Sequence, residues 1–501
     1  MVQTIQRVLS QNNDKNNGDV FSKLVGQFGR WQFIVFASIS LVKLSSGWVQ
    51  MAILFLTPSL TFWCVEFQNT TDENNTFSIQ NSTCYSSCAR YEYDTGLFEN
   101  TIVSEWNLVC ERKWLASFTQ MMLQLGILIG SIIFGFMSDR FGRKNTFLLS
   151  ISGLILFGFV IPFSPNYATF TGCRFLLGMA TAGTMVVSFV LVMETVGPKY
   201  RELLCCLFQM PFIIGHMTVP LFAYYFRSWN TYTLALAIPP LIYLGYFFLL
   251  SESPRWLVSV GRVEEATTII TRAAQMNNYP TNNIKDSLAK LSQAINSKAD
   301  KKPNYLALLH RSLWLRSVCC GVIWLITGVT FFGLNQYISQ TSPDPFISVT
   351  AAGAIQIPSV FISVFLIQQF GRKNTTIAAS CLGGLCIIIL GCLPDSFALK
   401  LALGTLGVSC ASVVASTIYI YTSELYPTVV RNMAMGACST TMRIGSMVAP
   451  FVSSLSETVA WLPTAVFGIA PVVAAALCLL LPDTRGAQLT DTIEEIKSDV
   501  K

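Results

Sequence analysis

Twelve apolar runs alternate with polar breaks along the chain, at about 31–57, 115–137, 147–163, 169–193, 203–226, 231–250, 316–338, 347–368, 376–393, 399–421, 432–454 and 462–481. A membrane helix needs about 20 apolar residues, so the pattern predicts twelve spanning helices. Two polar stretches interrupt the rhythm. Residues 63–113 form a long loop after the first run. Residues 251–315 follow the sixth run, and within them 262–275 and 284–297 show helical spacing with charged faces, which predicts two or three short surface helices. Residues 1–30 and 482–501 are polar flanks; Met1 to Gly18 is polar and rich in Asn and Gln, so no cleavable leader is expected and the first run is expected to act as its own signal.

The runs repeat as two sets of six. Phe141-Gly142-Arg143-Lys144-Asn145-Thr146 returns as Phe370-Gly371-Arg372-Lys373-Asn374-Thr375, an offset of 229. Glu194 and Arg201 recur as Glu424 and Arg431, Ile214-Gly215 as Ile444-Gly445, and Arg255 as Arg485, each shifted by 230. Several matches in one register indicate two homologous halves, 31–250 and 316–481, joined by 251–315.

Composition then narrows the class. Of the 501 residues, 52% are hydrophobic and 12% charged; soluble domains carry roughly 25% charged residues, so the chain is expected in a membrane. With 63–113 outside, the inner loops hold Arg140, Arg143, Lys144, Lys199, Arg201, Arg372, Lys373 and Arg431, while the short outer loops hold little beyond Arg227. That asymmetry follows the positive-inside rule and places both termini in the cytosol. The outer loop holds Cys64, Cys84, Cys88 and Cys110 with glycosylation sequons at Asn69, Asn74 and Asn81, as expected of an oxidised segment at the plasma membrane. Three disulfide pairings of these cysteines are open. The glycine-basic runs lack the Gly-x4-Gly-Lys-[ST] spacing of a phosphate loop. His216 and His310 fall on different levels and make no catalytic constellation. No enzyme activity, cofactor, metal or nucleic-acid partner is expected.

The second run ends in Gly130-x4-Gly135-x2-Ser138-Asp139-Arg140-Phe141-Gly142-Arg143-Lys144. Its glycines admit close helix approach, and its charges can pair with other helix ends across the inner face. The candidates are Asp139, Arg140, Arg143, Glu194, Arg201, Glu252 and Arg255 in the first half, and Arg372, Glu424 and Arg431 in the second, where Gln368 and Gln369 replace Asp139 and Arg140. Together with Glu252-Ser253-Pro254-Arg255-Trp256-Leu257 and Pro482-Asp483-Thr484-Arg485-Gly486, these motifs resemble the major facilitator superfamily, over essentially the whole chain. The long cysteine-rich loop and Tyr421-Thr422-Ser423-Glu424-Leu425-Tyr426-Pro427-Thr428-x-x-Arg431 resemble its organic ion transporter branch; sugar porters share several motifs but usually lack that loop. The resemblance implies an all-α membrane fold of twelve helices in two pseudo-symmetric six-helix bundles. They would rock around a central site as a monomer, with the charged inner-face motifs latching the outward-facing state.

Charges inside apolar runs point to the substrate. Lys43 lies 12 residues into the first run and Arg443 lies 12 residues beyond Arg431. At 1.5 Å per residue each is about 18 Å deep, near the middle of a roughly 30 Å core. An ionisable group there is costly and by default marks a site. Arg443 matches Ile213 in the other half, so the duplication does not require its charge. In the family the chain resembles, this position carries an acid in organic cation carriers and an arginine in organic anion and carnitine carriers. Such anion carriers commonly place a lysine two residues after a proline in the eighth helix; here Pro358-Ser359-Val360 has none. The expectation is a secondary active or facilitative carrier of a small organic anion or carnitine-like zwitterion. An organic cation carrier is the alternative, and a sugar-porter-like carrier stands behind it. Trp324, Phe331, Phe332 and Tyr337 in the seventh run, with Tyr224 and Tyr225 in the fifth, are candidate aromatic walls. Arg174 and Lys400, near outer helix ends, are explained by snorkelling as well as by function; His216 is read as a hydrogen-bonded packing residue.

Overall fold

The computed structural model describes residues 20–67, 81–85, 88–297, 308, 310, 312–392, 396–427, 430–457, 459 and 461–485. Its long helices, in chain order, are α1 (Arg30–Leu56), α2 (Trp114–Phe141), α3 (Arg143–Phe163), α4 (Tyr167–Thr195), α5 (Pro198–Tyr225) and α6 (Trp229–Leu249) in one half. The other half has α7 (Trp314–Thr341), α8 (Pro345–Phe370), α9 (Arg372–Cys392), α10 (Phe397–Leu425), α11 (Arg431–Ser454) and α12 (Leu462–Leu479). All but α11 are long and apolar enough to cross a membrane. With 24 residues α11 is long enough but polar, because it carries Arg431, Asn432, Arg443 and several Ser and Thr. Such a helix is tolerated at membrane depth where it faces a wet cavity or protein rather than lipid.

Packing repeats with the duplication. In one half α1 packs on α5 and α2 on α4; in the other α7 packs on α11 and α8 on α10. Gly215 and Gly445 hold equivalent places: a Cβ on Gly215 would strike the Leu44 carbonyl, and one on Gly445 the Leu325 carbonyl. Small residues at these crossings let the backbones approach closely, which is how helices associate where lipid is as apolar as side chains. Between halves the main contacts are α5 on α8 and α2 on α11. These two crossings exchange under the same pseudo-two-fold.

The 63–113 stretch forms a hairpin of β1 (Phe62–Phe67) and β2 (Cys88–Tyr93), paired antiparallel. Disulfides join Cys64 to Cys88 and Cys84 to Cys110, with Cα separations of 5.9 and 5.7 Å, inside the ordinary range. Trp106 anchors the loop on the first half, with its ring 6.0 Å from Tyr167, 5.2 Å from Phe170 and 5.1 Å from Trp229. Asn81 is exposed; Asn69 and Asn74 lie outside the described residues. This end of the bundle is the loop face.

The opposite, linker face carries helices Pro254–Ser259, Val263–Met276 and Ile284–Ser297. Ala266, Ile270, Ala273 and Ala274 recur at helical spacing and bury one face. That face packs on Leu257, Leu288 and on Phe21 of a short N-terminal helix, Val20–Val25. Asn277 fixes the arrangement: its side chain donates to the Val25 carbonyl at 2.8 Å and accepts from the Trp31 amide at 3.0 Å.

Candidate functional site

Midway through the bundle, α5 is interrupted between Leu207 and Met210. Pro211 has no amide proton, and its ring crowds the carbonyl of the residue four before it. The resulting turn buries Phe208 in the core of the first half, against Phe36 and Phe189, and sets Gln209 beside Lys43. Lys43, buried in α1, donates from Nζ to Gln209 Oε1 at 2.8 Å, and the ammonium lies 4.4 Å from the Phe208 ring centroid. Arg443, half-buried on α11, stands beside Tyr419 of α10, whose ring meets Trp324 edge-on at 4.5 Å. Lys43 and Arg443 rise from opposite halves, on α1 and α11. Among the described residues neither has a carboxylate at ion-pair distance.

Of the aromatic residues singled out in the sequence, Trp324 reaches this neighbourhood, but edge-on: its indole is buried and donates from Nε1 to Thr422 Oγ1 at 2.9 Å. Phe331 and Phe332 form an edge-to-face pair at 5.2 Å, with Phe331 in the apolar core toward the loop face. Tyr337 packs near Phe467 inside the second half. Tyr224 and Tyr225 are exposed at the loop-face end of α5; at 1.5 Å per residue that is about 22 Å from Gln209. Gln209, Phe208 and Tyr419 escaped the sequence reading. The Phe-Gln-x-Pro run that breaks α5 was the available signal for the first two.

The charged motifs assemble separately in each half. Arg143 is buried; its Nη2 lies 3.1 Å from Glu194 Oε1 and 3.0 Å from Asp139 Oδ1, and Nη1 donates to the Ser138 carbonyl at 2.7 Å. Glu252 accepts from the amides of Arg143 and Lys144 at 2.9 and 3.0 Å, capping α3 with a negative charge where the helix dipole favours one. Gly142 makes the turn possible with φ of +99°. Arg255 donates from Nε to the Glu194 carbonyl at 2.6 Å and lies over Phe21, Arg201 donates to the Val196 carbonyl at 3.3 Å, and Arg140 is exposed above Phe141. In the second half Arg372 Nη2 pairs with Glu424 Oε1 at 2.9 Å, and Thr484 donates to Glu424 Oε2 at 2.6 Å. Pro482 stands at the place equivalent to Glu252, so the second copy has no such cap. Arg431 opens α11.

Arg174 is more buried than its position suggested. Arg174 does not snorkel to the membrane edge: it is 3% exposed and donates from Nη2 to Gln120 Oε1 at 2.8 Å, because α4 turns that face toward α2 rather than toward lipid. Lys400 is half-buried. His216 is buried on α5, with Nδ1 3.0 Å from Gln356 Nε2 of α8.

Contacts between halves run from this midpoint to the loop face. Ser117 Oγ donates to the Pro450 carbonyl at 3.1 Å and Ser339 Oγ to the Leu54 carbonyl at 3.3 Å. Phe346 stacks on Phe55 at 5.4 Å and packs on Phe98 at 5.7 Å. Among the described residues the ion pairs at the linker face stay within their own half. The contacts that join the two halves thus gather on the loop side.

The family model described as "Sugar (and other) transporter" matches residues 23–495. Organic cation/carnitine transporter 2 of Rattus norvegicus is 34% identical over 81% of this chain and 73% of its own length. An organic cation transporter-like protein of Drosophila melanogaster is 29% identical over 94% of this chain and 91% of its own. Among solved structures, the inward-open conformation of the xylose transporter XylE from E. coli superposes with a TM-score of 0.67 at 17% identity, covering 93% of this chain and 99% of that one.

Proposed function

The chain belongs to the organic ion transporter branch of the major facilitator superfamily, and on that premise we propose that it carries a small organic anion or carnitine-like zwitterion by alternating access. One observation supports this reading: Lys43 on α1 and Arg443 on α11, one from each half, stand midway along their helices without a carboxylate at ion-pair distance among the described residues. A buried charge without a partner costs several kcal/mol, and a substrate carboxylate lodged between the two would supply the missing partner. A zwitterion would rest its ammonium on an aromatic face, for which Tyr419 beside Arg443 is the candidate.

The distribution of Lys and Arg supports taking the linker face as cytosolic and the loop face as the exterior at the plasma membrane. On that assignment the α2–α11 and α5–α8 crossings close the outside while the site faces the cytosol. The Arg143–Glu194 and Arg372–Glu424 clusters would meet across the linker face in the opposite state and hold it shut.

The alternative is an organic cation carrier, which agrees with the names of the similar organic cation and organic cation/carnitine transporters. It would need a negative group at the central site. Uptake of labelled benzoate, carnitine and tetramethylammonium into proteoliposomes separates the readings. Saturable benzoate or carnitine uptake that Arg443→Gln lowers at least tenfold supports the proposal. Uptake of tetramethylammonium alone would overturn it.

A further inference from the structure

About 10 Å along α5 from Gln209 toward the loop face, at 1.5 Å per residue, His216 joins the two halves side chain to side chain. Its Nδ1 lies 3.0 Å from Nε2 of Gln356 on α8. His216 is 0% exposed and Gln356 1%. The bond sits on the α5–α8 crossing, beside the close approach of Gly353 to Met217. A third group fixes its protons. The Gln356 amide nitrogen also donates to the Ala352 carbonyl at 3.0 Å; turned over, the amide would set its oxygen against that carbonyl. Nε2 of Gln356 therefore donates to His216 Nδ1, and the neutral imidazole carries its proton on Nε2. That Nε2 is buried without a partner among the described residues. An imidazolium has a proton on both nitrogens. It would point Nδ1–H at an N–H and leave Nε2–H without an acceptor, so this geometry admits only the neutral ring.

The surroundings offer no counter-charge. From Pro345 to Phe370 α8 has no ionisable side chain. On α1, Gly47 lies against the His216 backbone, and one turn before it stands Lys43, itself a cation. The phenols of Tyr232, Tyr243 and Tyr246 on α6 donate to carbonyls of α1. Among the described residues no carboxylate stands at ion-pair distance from His216. The duplication does not require a titratable group either, since Ser446 holds the matching place in the second half and bonds to the Arg443 carbonyl of its own helix.

We propose that His216 is a proton site and the latch of the loop face: the neutral imidazole keeps the α5–α8 crossing joined, and a proton binds the arrangement in which that crossing has parted. Once the halves separate there, water reaches both ring nitrogens. A ligand that binds one of two arrangements shifts the population toward it. Acidification is thus expected to favour the loop-open arrangement, starting near the pH of about 6.5 at which a hydrated imidazole takes up a proton. The latch rests on alternating access as read above and holds for a substrate of either charge.

The test uses full-length protein in proteoliposomes with Tyr224→Cys on α5 and Phe346→Cys on α8, whose native rings lie 5.7 Å apart across the halves. A short bismaleimide joins the pair, and mass spectrometry measures the cross-linked peptides. Thiol reactivity changes with pH in every variant, so the protein with His216 is compared with His216→Gln at the same pH. Its cross-linking relative to that variant is expected to fall about fivefold or more between about pH 7.5 and about pH 5.5, one unit on either side of the imidazole value. His216→Leu, which removes the hydrogen bond altogether, should keep a constant ratio to His216→Gln. Because one ratio is followed across two pH values, a difference in folded amount cancels. A ratio for His216 that stays constant would overturn the latch. Gly353→Leu, which wedges the crossing, should lower the yield at both pH values. If it does not, the parting of the halves is overturned, and the latch with it.

Discussion

At the scale of single residues, the two copies of the Phe-Gly-Arg-Lys-Asn-Thr motif show how one pattern acquires different strength. The Arg143 and Glu194 side chains are 2% and 7% exposed, while Arg372 and Glu424 are 23% and 20% exposed. Breaking a buried pair by removing one partner costs about 3–5 kcal/mol, against about 1 kcal/mol for an exposed pair. Glu194→Gln is therefore expected to lower the thermal unfolding midpoint in detergent far more than Glu424→Gln, and equal shifts would contradict the burial difference. At the central site Gln209 supplies Lys43 with a neutral acceptor. Hydrogen bonds to charged groups contribute about 1.5–3 kcal/mol, so Gln209→Ala should weaken apparent anion affinity about tenfold or more. Gln209→Glu should abolish anion uptake by pairing with Lys43 directly. Both are read from the concentration dependence of initial uptake.

At the scale of elements, hydrophobic run length located the helices well. The first run, expected at 31–57, is observed as Arg30–Leu56, and the linker segment expected at 284–297 forms Ile284–Ser297. Length and apolarity decide whether a helix spans, so they are legible in one dimension. Rotation about the helix axis is not. Tyr337 and Trp324 share α7 with residues that face the other half, yet both turn into their own bundle. Arg174 finds Gln120 across a separation in sequence that no local pattern encodes. The loop cysteines left three pairings open; the folded hairpin brings Cys64 of β1 within bonding distance of Cys88 of β2, although its register partner is Tyr91. Replacing Cys84 and Cys110 together by serine should cost about 2–5 kcal/mol of loop stability. The measurable result is a lower unfolding midpoint in detergent, and reduction by dithiothreitol should reproduce it in the native protein.

At the scale of the whole molecule, duplication prescribes which crossings must open and close. Gly353 of α8 lies so close to α5 that a Cβ there would stand 2.8 Å from Met217 Cα and 2.9 Å from its amide nitrogen. That crossing joins the two halves, so Gly353→Leu should wedge the loop face apart without unravelling either bundle. Uptake is expected to fall more than tenfold while the unfolding midpoint changes by only a few degrees. A large loss of stability would instead make the crossing a structural keystone rather than a moving joint.

The clamp around Asn277 has a mechanical corollary. By tying the Val263–Met276 helix to Val25 and Trp31, it makes the surface helices ride as cargo of the first bundle. Any relative swing of the bundles then moves those helices away from α7, which opens at Trp314. Releasing the clamp by Asn277→Ala would free these helices from that motion while leaving each bundle intact.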